Sequence, residues 1–288
     1  MASTRQLKSR VKSVKGTRQI TKAMQLVAAS KMRRAQDTAS KIQVFSDAAS
    51  ELLTHLQLLP DTDNHYLYVE RPVKCRLIIL ITSDKGLAGA YNTNVLKRYN
   101  QQLIEDKKQG VNNLTLCIGR KASQFVSRLK NVEMIGSYED FPERPNDNDL
   151  RPIITSAINQ FKEYNVDSVE IIYTEYVNSI NQVASVKQLL PAGYQSTAVS
   201  DSVSQATFEP SPEEVLEATT KRLLEVQLLQ AYLDSVASEH SMRMIAMKNA
   251  TDNAGDLIDD LTLEMNKVRQ AGITQELSEI SGGVEAMK

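Results

Sequence analysis

An unbroken seven-residue rhythm near the C-terminus limits what this chain can become. His240, Met244, Met247, Thr251, Ala254, Ile258, Leu261, Met265, Val268 and Gly272 follow one another at alternating steps of four and three. Leu233 and Val226 carry the same phase backwards by sevens. This period is the seam of a coiled coil: one side of a helix is apolar along its length and must meet a partner helix. The seam is rich in Ala, Thr, Gly and Met, small or flexible residues that let two helices approach closely.

Proline placement gives the partner. All eight prolines fall between Pro60 and Pro212, so residues 2–59 and 213–288 contain none. A proline costs roughly 3 kcal/mol inside a helix, and both ends are free of that break. "SPEEV" starts the C-terminal helix, with Ser211 as N-cap, Pro212 in the first helical position and Glu213 and Glu214 in the first turn. From Pro212 to about Ser281 the helix is ~105 Å long at ~1.5 Å per residue. A second helix from about Thr4 to Leu58 is ~80 Å long. Leu7, Val11 and Val14 open its seam, Met24, Val27, Met32 and Ala35 carry a blurred middle, and Ile42, Phe45, Ala49, Leu52, Leu56 and Leu59 finish it. Each helix is read as having one narrow apolar stripe. The two pair antiparallel, and the longer C-terminal helix projects beyond its partner. Aromatics make up only 5% of the chain and Trp is absent, which fits a partly elongated molecule better than one large core.

Between the two ends, strand-like and helix-like segments alternate. "RLIILITS" is a buried strand, "GAYNTNVLKRYNQQLIEDKKQG" a helix stopped by Gly110, "NLTLCIG" a strand and "RKASQFVSRL" a helix. "VEMIGSY", a helix in "DLRPIITSAINQFKEYN", and "SVEIIYTEYV" follow. "VASVKQLLP" adds a further strand, antiparallel to its neighbour. The alternation predicts a mainly parallel, Rossmann-like α/β domain. The expected divisions are residues 1–59 and 212–288 as the two helices of a rod and 73–205 as the α/β domain.

A glycine turn follows the first of these strands, in "TSDKGLAGAYN", where open parallel sheets often bind ligands. Its spacing does not fit a nucleotide. A phosphate-binding loop needs four residues between its glycines and then Lys-Ser or Lys-Thr; here Gly86 and Gly89 are three apart and Ala90-Tyr91 follows. "IGRK" is a second glycine turn without a fingerprint. No catalytic constellation stands out. His55, His65 and His240 are far apart, and no G-x-S-x-G occurs. Neither cofactor nor metal is expected, and no catalytic residue is assigned. Cys75 and Cys117, the only cysteines, lie in apolar runs and read as buried thiols in a reducing compartment.

Charge is distributed unevenly. Before Asp37 there is no acidic residue, while Arg5, Lys8, Arg10, Lys12, Lys15, Arg18, Lys22, Lys31, Arg33 and Arg34 are basic. From Thr251 onward, Asp252, Asp256, Asp259, Asp260, Glu264, Glu276, Glu279 and Glu285 outnumber Lys267, Arg269 and Lys288. Part of this asymmetry solvates the rod and favours antiparallel pairing; the rest points to an acidic partner surface. An adaptor that grips an acidic partner or nucleic acid through its basic helix is the alternative reading. The basic stretch has no aromatic before Phe45, which argues against base stacking. An enzyme binding a nucleotide in the central domain is a third, weaker reading.

Three stretches go beyond pattern. "VKSVKGTRQITKAMQLVAASKMRRAQ" (Val11 to Gln36) resembles the N-terminal signature of the gamma-subunit family of F-type ATP synthases. "MRMIAMKNATDNAGDLIDDLTLEMNKVRQAGITQELSEISGG" (Met242 to Gly283) resembles that family's C-terminal signature. "SDKGLAGAYN" (Ser83 to Asn92) is similar to its block S-D-R-G-L-C-G-G-F-N, with Lys85, Ala88, Ala90 and Tyr91 as mild departures. The motifs stand in family order over nearly the whole chain.

The resemblance implies a non-catalytic rotor shaft. In this family the terminal helices turn inside a ring of alpha and beta subunits, and the central domain forms a foot beside the epsilon subunit and above the membrane c-ring. The asymmetric shaft presents a different face to each beta subunit in turn. By the same resemblance, Lys22, Met24, Arg33 and Arg34 lie near acidic levers of the beta subunits. Arg243, Arg269, Gln270 and Thr274 match positions that contact those subunits, and the tip after Ile273 enters an apolar bearing. Lys85, in a loop lying against the shaft near the lower face of the catalytic ring, is likewise expected to contact the beta subunits. No nucleic acid or nucleotide is expected to bind this chain directly. The N-terminus lacks a signal- or transit-like stretch, and no run of about 18 apolar residues occurs. A bacterial protein, peripheral on the cytoplasmic face of the plasma membrane through its complex, is the expectation.

Overall fold

The computed structural model describes residues 4–57, 65–193 and 212–286. Pro60, Leu58, Leu59 and the cap assigned to Ser211 lie outside them. The order is α1 (Thr4–Gln57), β1 (Cys75–Ile81), α2 (Tyr91–Gln109), β2 (Asn112–Ile118), α3 (Arg120–Val126), β3 (Glu133–Tyr138), α4 (Asp147–Lys162), β4 (Ser168–Tyr176), β5 (Gln182–Leu190) and α5 (Pro212–Ala286). Two compact units result, one of residues 1–28 with 243–288, the other of residues 29–242.

The smaller unit is a helix pair. The α5 seam appears where the heptads place it: Met247, Thr251, Ala254, Ile258 and Leu261 are buried, and Met265, Val268 and Gly272 are half-buried. Facing them on α1 are Leu7, Val11, Val14, Thr21 and Ala28. The hydroxyls of Thr21 and Thr251 lie 2.8 Å apart, and Arg18 stands over Gly255. Residue numbers fall on one helix as they rise on the other, so the pair is antiparallel.

Four residues assigned to the α1 seam stand beside it: Met24 and Leu52 are half-buried, and two others face solvent. Val27 is 55% exposed and Phe45 69% exposed. Thr21, Ala28, Ala39, Ser46 and Leu53 take the buried positions instead. From Leu7 these continue the four-three rhythm through Met32, Ala35, Ile42 and Ala49 to Leu56. A small or polar residue suits a face where two backbones come close, so the large side chains turn outward. Hydrophobicity alone therefore selected the wrong neighbours.

The larger unit is built on a five-stranded sheet in the order β3-β2-β1-β4-β5. β1 pairs parallel with β2 and with β4, β2 pairs parallel with β3, and β5 lies antiparallel to β4. β1 reads as a continuous apolar run because both faces of the sheet are covered. Ile78 and Leu80 face Val95 and Tyr99 of α2 and Ala122 and Val126 of α3. Leu77, Ile79 and Ile81 face α4, through Ile153, Ile154 and Phe161, together with Leu53 of α1 and Leu228 and Tyr232 of α5. α2 ends where expected: Gly110 adopts the left-handed conformation at φ 75°.

The N-terminal half of α5 departs from the single-stripe reading. From Leu224 to Ser241 every residue is buried or half-buried, with Leu233 buried and Val226 half-buried. Serines make this possible. Pairing of β1 with β4 runs only to Ile172. Farther along β4, the Thr174 amide donates to Ser235 Oγ (3.1 Å), and Ser238 Oγ donates to the Thr174 carbonyl (3.4 Å). The helix thus supplies hydrogen bonds that a strand edge would otherwise lack.

One buried ion cluster ties the start of the sheet together. Arg76 of β1 donates from Nε to both carboxylate oxygens of Asp106 (3.2 and 3.1 Å) and from Nη1 to Glu170 of β4. Only 12% of the Arg76 side chain, 1% of Asp106 and 10% of Glu170 are exposed. Removing one partner strands the other charges in a poorly solvated site. Arg76→Met should therefore destabilise the larger unit by about 3–5 kcal/mol, read as a lower urea midpoint at pH 7.5 by circular dichroism.

Candidate functional site

The glycine turn after β1 is held by its own side chains. The Ser83 amide and hydroxyl meet Asn92 Oδ1 at 3.1 and 3.0 Å, and Ser83 Oγ lies 2.7 Å from the Lys85 carbonyl. Leu87 and Gly89 have left-handed φ values of 61° and 55°. Asp84 Oδ1 accepts the backbone amides of Arg120 (2.9 Å) and Asp140 (3.1 Å), and Thr82 Oγ1 accepts that of Ala122 (2.8 Å). A carboxylate and a hydroxyl from the end of β1 thus hold amides at the start of α3, the helix that follows the second glycine turn. The second glycine turn has a steric reason. Gly119 has φ 96°, and a Cβ there would lie 2.2 Å from the Thr82 carbonyl oxygen. The second turn thus lets the ends of β1 and β2 lie close, and the first ties the end of β1 to α3 and to the residues after β3.

The residues singled out as partner contacts divide between the two units. In the helix pair, Lys22, Arg269, Gln270 and Thr274 are exposed, while Met24 and Arg243 are half-buried. Lys22 Nζ donates to Gln25 Oε1 (3.2 Å), and Thr274 Oγ1 donates to the Gln270 carbonyl (3.0 Å). In the larger unit Arg33, Arg34 and Lys85 are exposed. Arg34 donates to Ser30 Oγ (3.3 Å) and lines a cleft of about 390 Å³ with Lys41, Arg144, Leu229 and Leu233. Beyond Gly272, residues 273–281 are all exposed. Ile273, Leu277 and Ile280 form an exposed apolar row displaced by one or two positions from the seam. Ile20 and Leu26, 62% and 60% exposed, add apolar surface on α1 that the sequence pattern does not assign.

The cysteines differ from each other. Burial pushes the Cys117 thiol up to about 12, whereas Cys75, read as buried, is only half-buried. No described helix is long and apolar enough to cross a membrane.

A carboxyl group sits uneasily between α5 and the sheet. Burial raises Asp234 from its ordinary 3.8 to about 7; Glu175 adds to the rise, while the Gln230 hydrogen bond and Lys187 oppose it. Burial likewise lowers Lys187, against the pull of Asp234, Asp47 and Glu175. Gln230 Nε2 donates to Asp234 Oδ1 (3.0 Å) and to Gln43 Oε1 (2.9 Å), and Gln43 Nε2 donates to Asp47 Oδ1 (3.1 Å). An amide chain therefore links carboxylates on α5 and α1.

Taken alone, the described residues make a helix pair and an α/β domain. Relatives make this specific. A family model described as ATP synthase matches residues 3–287. The ATP synthase gamma chain of Roseiflexus castenholzii is 39% identical over 289 residues, covering 100% of this chain and 99% of the relative. That of Stenotrophomonas maltophilia is 40% identical over 290 residues, covering 100% of both. Among solved structures, a chain of the Euglena gracilis mitochondrial ATP synthase assembly of OSCP, F1 and c-ring matches with a TM-score of 0.71 at 20% identity, covering 99% of this chain and 94% of that one. A chain from the Tetrahymena thermophila mitochondrial ATP synthase central stalk and c-ring has a TM-score of 0.62 at 24% identity, covering 80% and 99%. The chain belongs to the ATP synthase gamma chain family.

The raised Asp234 sets a pH dependence. Because its folded value exceeds its unfolded one, the unfolded chain ionises first as pH rises. Asp234 therefore costs nothing below about pH 4, costs progressively more from about 4 to 7, and costs a constant amount above. Asp234→Asn keeps the acceptor for Gln230 and removes the charge. It should stabilise the fold by roughly 1–3 kcal/mol at pH 8 and by nothing near pH 4. Urea titrations of both proteins at the two pH values measure the difference.

Proposed function

We propose that this chain is the central rotor shaft of an F-type ATP synthase. It couples proton flow through a membrane c-ring to ATP synthesis or hydrolysis in a ring of alpha and beta subunits. It carries out no chemistry itself. The observation that carries this reading is the full-length match to gamma chains, joined to a helix pair whose seam is narrow and built of small residues. The solved relatives are named for the central stalk, F1 and the c-ring, and these are the partners proposed here, with the epsilon subunit beside the α/β domain.

In this reading, rotation is the signal. A nucleotide site on each beta subunit responds to the face of the shaft it meets, because different faces stabilise different subunit conformations. Residues 1–59 and 212–288 act as the shaft and 73–205 as the foot. Lys22 and Met24 of the helix pair, and separately Arg33, Arg34 and Lys85 of the larger unit, supply largely basic contacts for acidic segments of the beta subunits. Arg243, Arg269, Gln270 and Thr274 contact the same subunits from α5. The exposed row of Ile273, Leu277 and Ile280 suits an apolar bearing. The chain would then lie on the cytoplasmic face of the bacterial plasma membrane, held there by its complex.

Purification of the tagged chain from its host should bring down alpha and beta subunits in fixed stoichiometry. A chain that purifies alone and binds DNA with a steep salt dependence would replace the rotor with a basic adaptor. Leu261→Pro puts a proline in the seam, at a cost of about 3 kcal/mol or more, and should abolish ATP-driven proton pumping. Pumping at the normal rate in inverted vesicles would remove the long helix from the mechanism.

A further inference from the structure

A rotor must carry twist between its helices and its α/β domain, and packed apolar surfaces alone can slide. One segment of the larger unit grips both helices. It begins after β3 and ends at the start of α4, with the sequence "YEDFPERPN" from Tyr138 to Asn146.

Its base is pinned by the glycine-turn loop. Asp84 Oδ1 accepts the Asp140 amide (3.1 Å) as well as that of Arg120 (2.9 Å). The Arg120 guanidinium pairs with Glu139 (3.0 Å) and Asp140 (2.7 Å). Asp140 itself has φ 51°, a left-handed turn that aims the following residues at the helices. The far end is fixed too, because the Asn146 amide donates to Asp149 Oδ2 (2.7 Å) in the first turn of α4.

Between these ends the segment touches α5 and α1 in succession. The Phe141 ring packs edge-on against Tyr232 of α5, with centroids 5.0 Å apart, and against Tyr138 at 6.5 Å. The Tyr232 hydroxyl lies 3.1 Å from the Pro142 carbonyl and 3.4 Å from that of Phe141. Glu143 Oε1 accepts from Lys31 of α1 (2.5 Å) and lies 3.5 Å from His240 Nε2 of α5. Burial pushes the Glu143 carboxyl up, but the Lys31 hydrogen bond and positive charge at His240, Lys31 and Lys85 outweigh it and hold the carboxyl below its ordinary value. Pro145 and Arg144 then line the cleft formed with Arg34 and Ile42 of α1 and Leu229 and Leu233 of α5. Two prolines with fixed φ, Pro142 and Pro145, limit how far the segment can give.

We infer that Tyr138–Asn146 is a strap that holds both helices against the α/β domain, with Glu143 and Tyr232 as positioning residues for the transfer of torque. The inference rests on the rotor reading. It also accounts for the glycine-turn motif, since Asp84 anchors the strap and Lys85 adds to the field around Glu143. The Lys31–Glu143 pair alone is half-exposed and weak. Its value is geometric, because the same carboxylate meets one helix from each end of the chain.

The test uses the assembled enzyme in inverted vesicles, comparing ATP-driven proton pumping with ATP hydrolysis. Glu143→Gln combined with Tyr232→Phe should leave hydrolysis near the wild-type rate and lower the pumping-to-hydrolysis ratio by about threefold. Glu143→Asp, which keeps the carboxylate, should retain more than half of the coupling that Glu143→Gln loses. An unchanged ratio in the double variant, or Glu143→Asp no better than Glu143→Gln, overturns the strap. A second readout needs no partner subunit. Amide hydrogen exchange over residues 29–42 and 229–242 of the isolated chain should rise about tenfold in the double variant, and unchanged protection also overturns the strap. Failure of the rotor reading looks different: there the wild-type chain itself brings down no alpha or beta subunits.

Discussion

The C-terminal part of the 75-residue helix α5 carries a narrow apolar stripe that cannot remain exposed. Water forces that stripe onto a partner, and α1 is the partner the chain supplies. Antiparallel pairing follows because the α/β domain lies between the two helices in sequence. The small side chains of the seam set how close the helices come. Thr21 against Thr251 and Arg18 over Gly255 both belong to a close contact. Large residues such as Ile20 and Leu26 are left to face outward.

The sheet domain solves a different problem with the same helices. Its β1 is apolar on both faces, so the sheet needs cover on each side. α2 and α3 cover one face, while α4 shares the other with the inner parts of α1 and α5. Here α5 stops being a two-sided helix and becomes a buried one. Its serines answer the open edge of β4, and its Tyr232 and His240 meet the segment that leaves β3. One helix therefore belongs to two kinds of packing along its length. This suits a part that different neighbours must read at different points.

The loop beyond β1 illustrates how the same outline can hold different chemistry. Strand, glycine turn and helix are arranged as in nucleotide-binding sheets, but Asp84 and the preceding Thr82 bind backbone amides of α3 and of Asp140. Their negative and polar atoms bind the protein's own backbone.

The sequence by itself determined the element order, the two long helices, the α5 seam to the residue, the parallel sheet with its antiparallel last strand, and the family. These depend on local period, on proline placement and on long contiguous motifs, all of which are written along the chain. It did not reveal that Val27 and Phe45 face out, because hydrophobicity does not distinguish a seam that needs small residues from one that needs large ones. Nor did it reveal that the inner part of α5 is buried on every side. That burial depends on β4, which is distant in sequence. The raised carboxyl of Asp234 and the grip of Glu143 on Lys31 and His240 belong to the same class. A single chain position shows neither the desolvation nor the charges brought to it from other elements; only the tertiary structure brings those groups within reach.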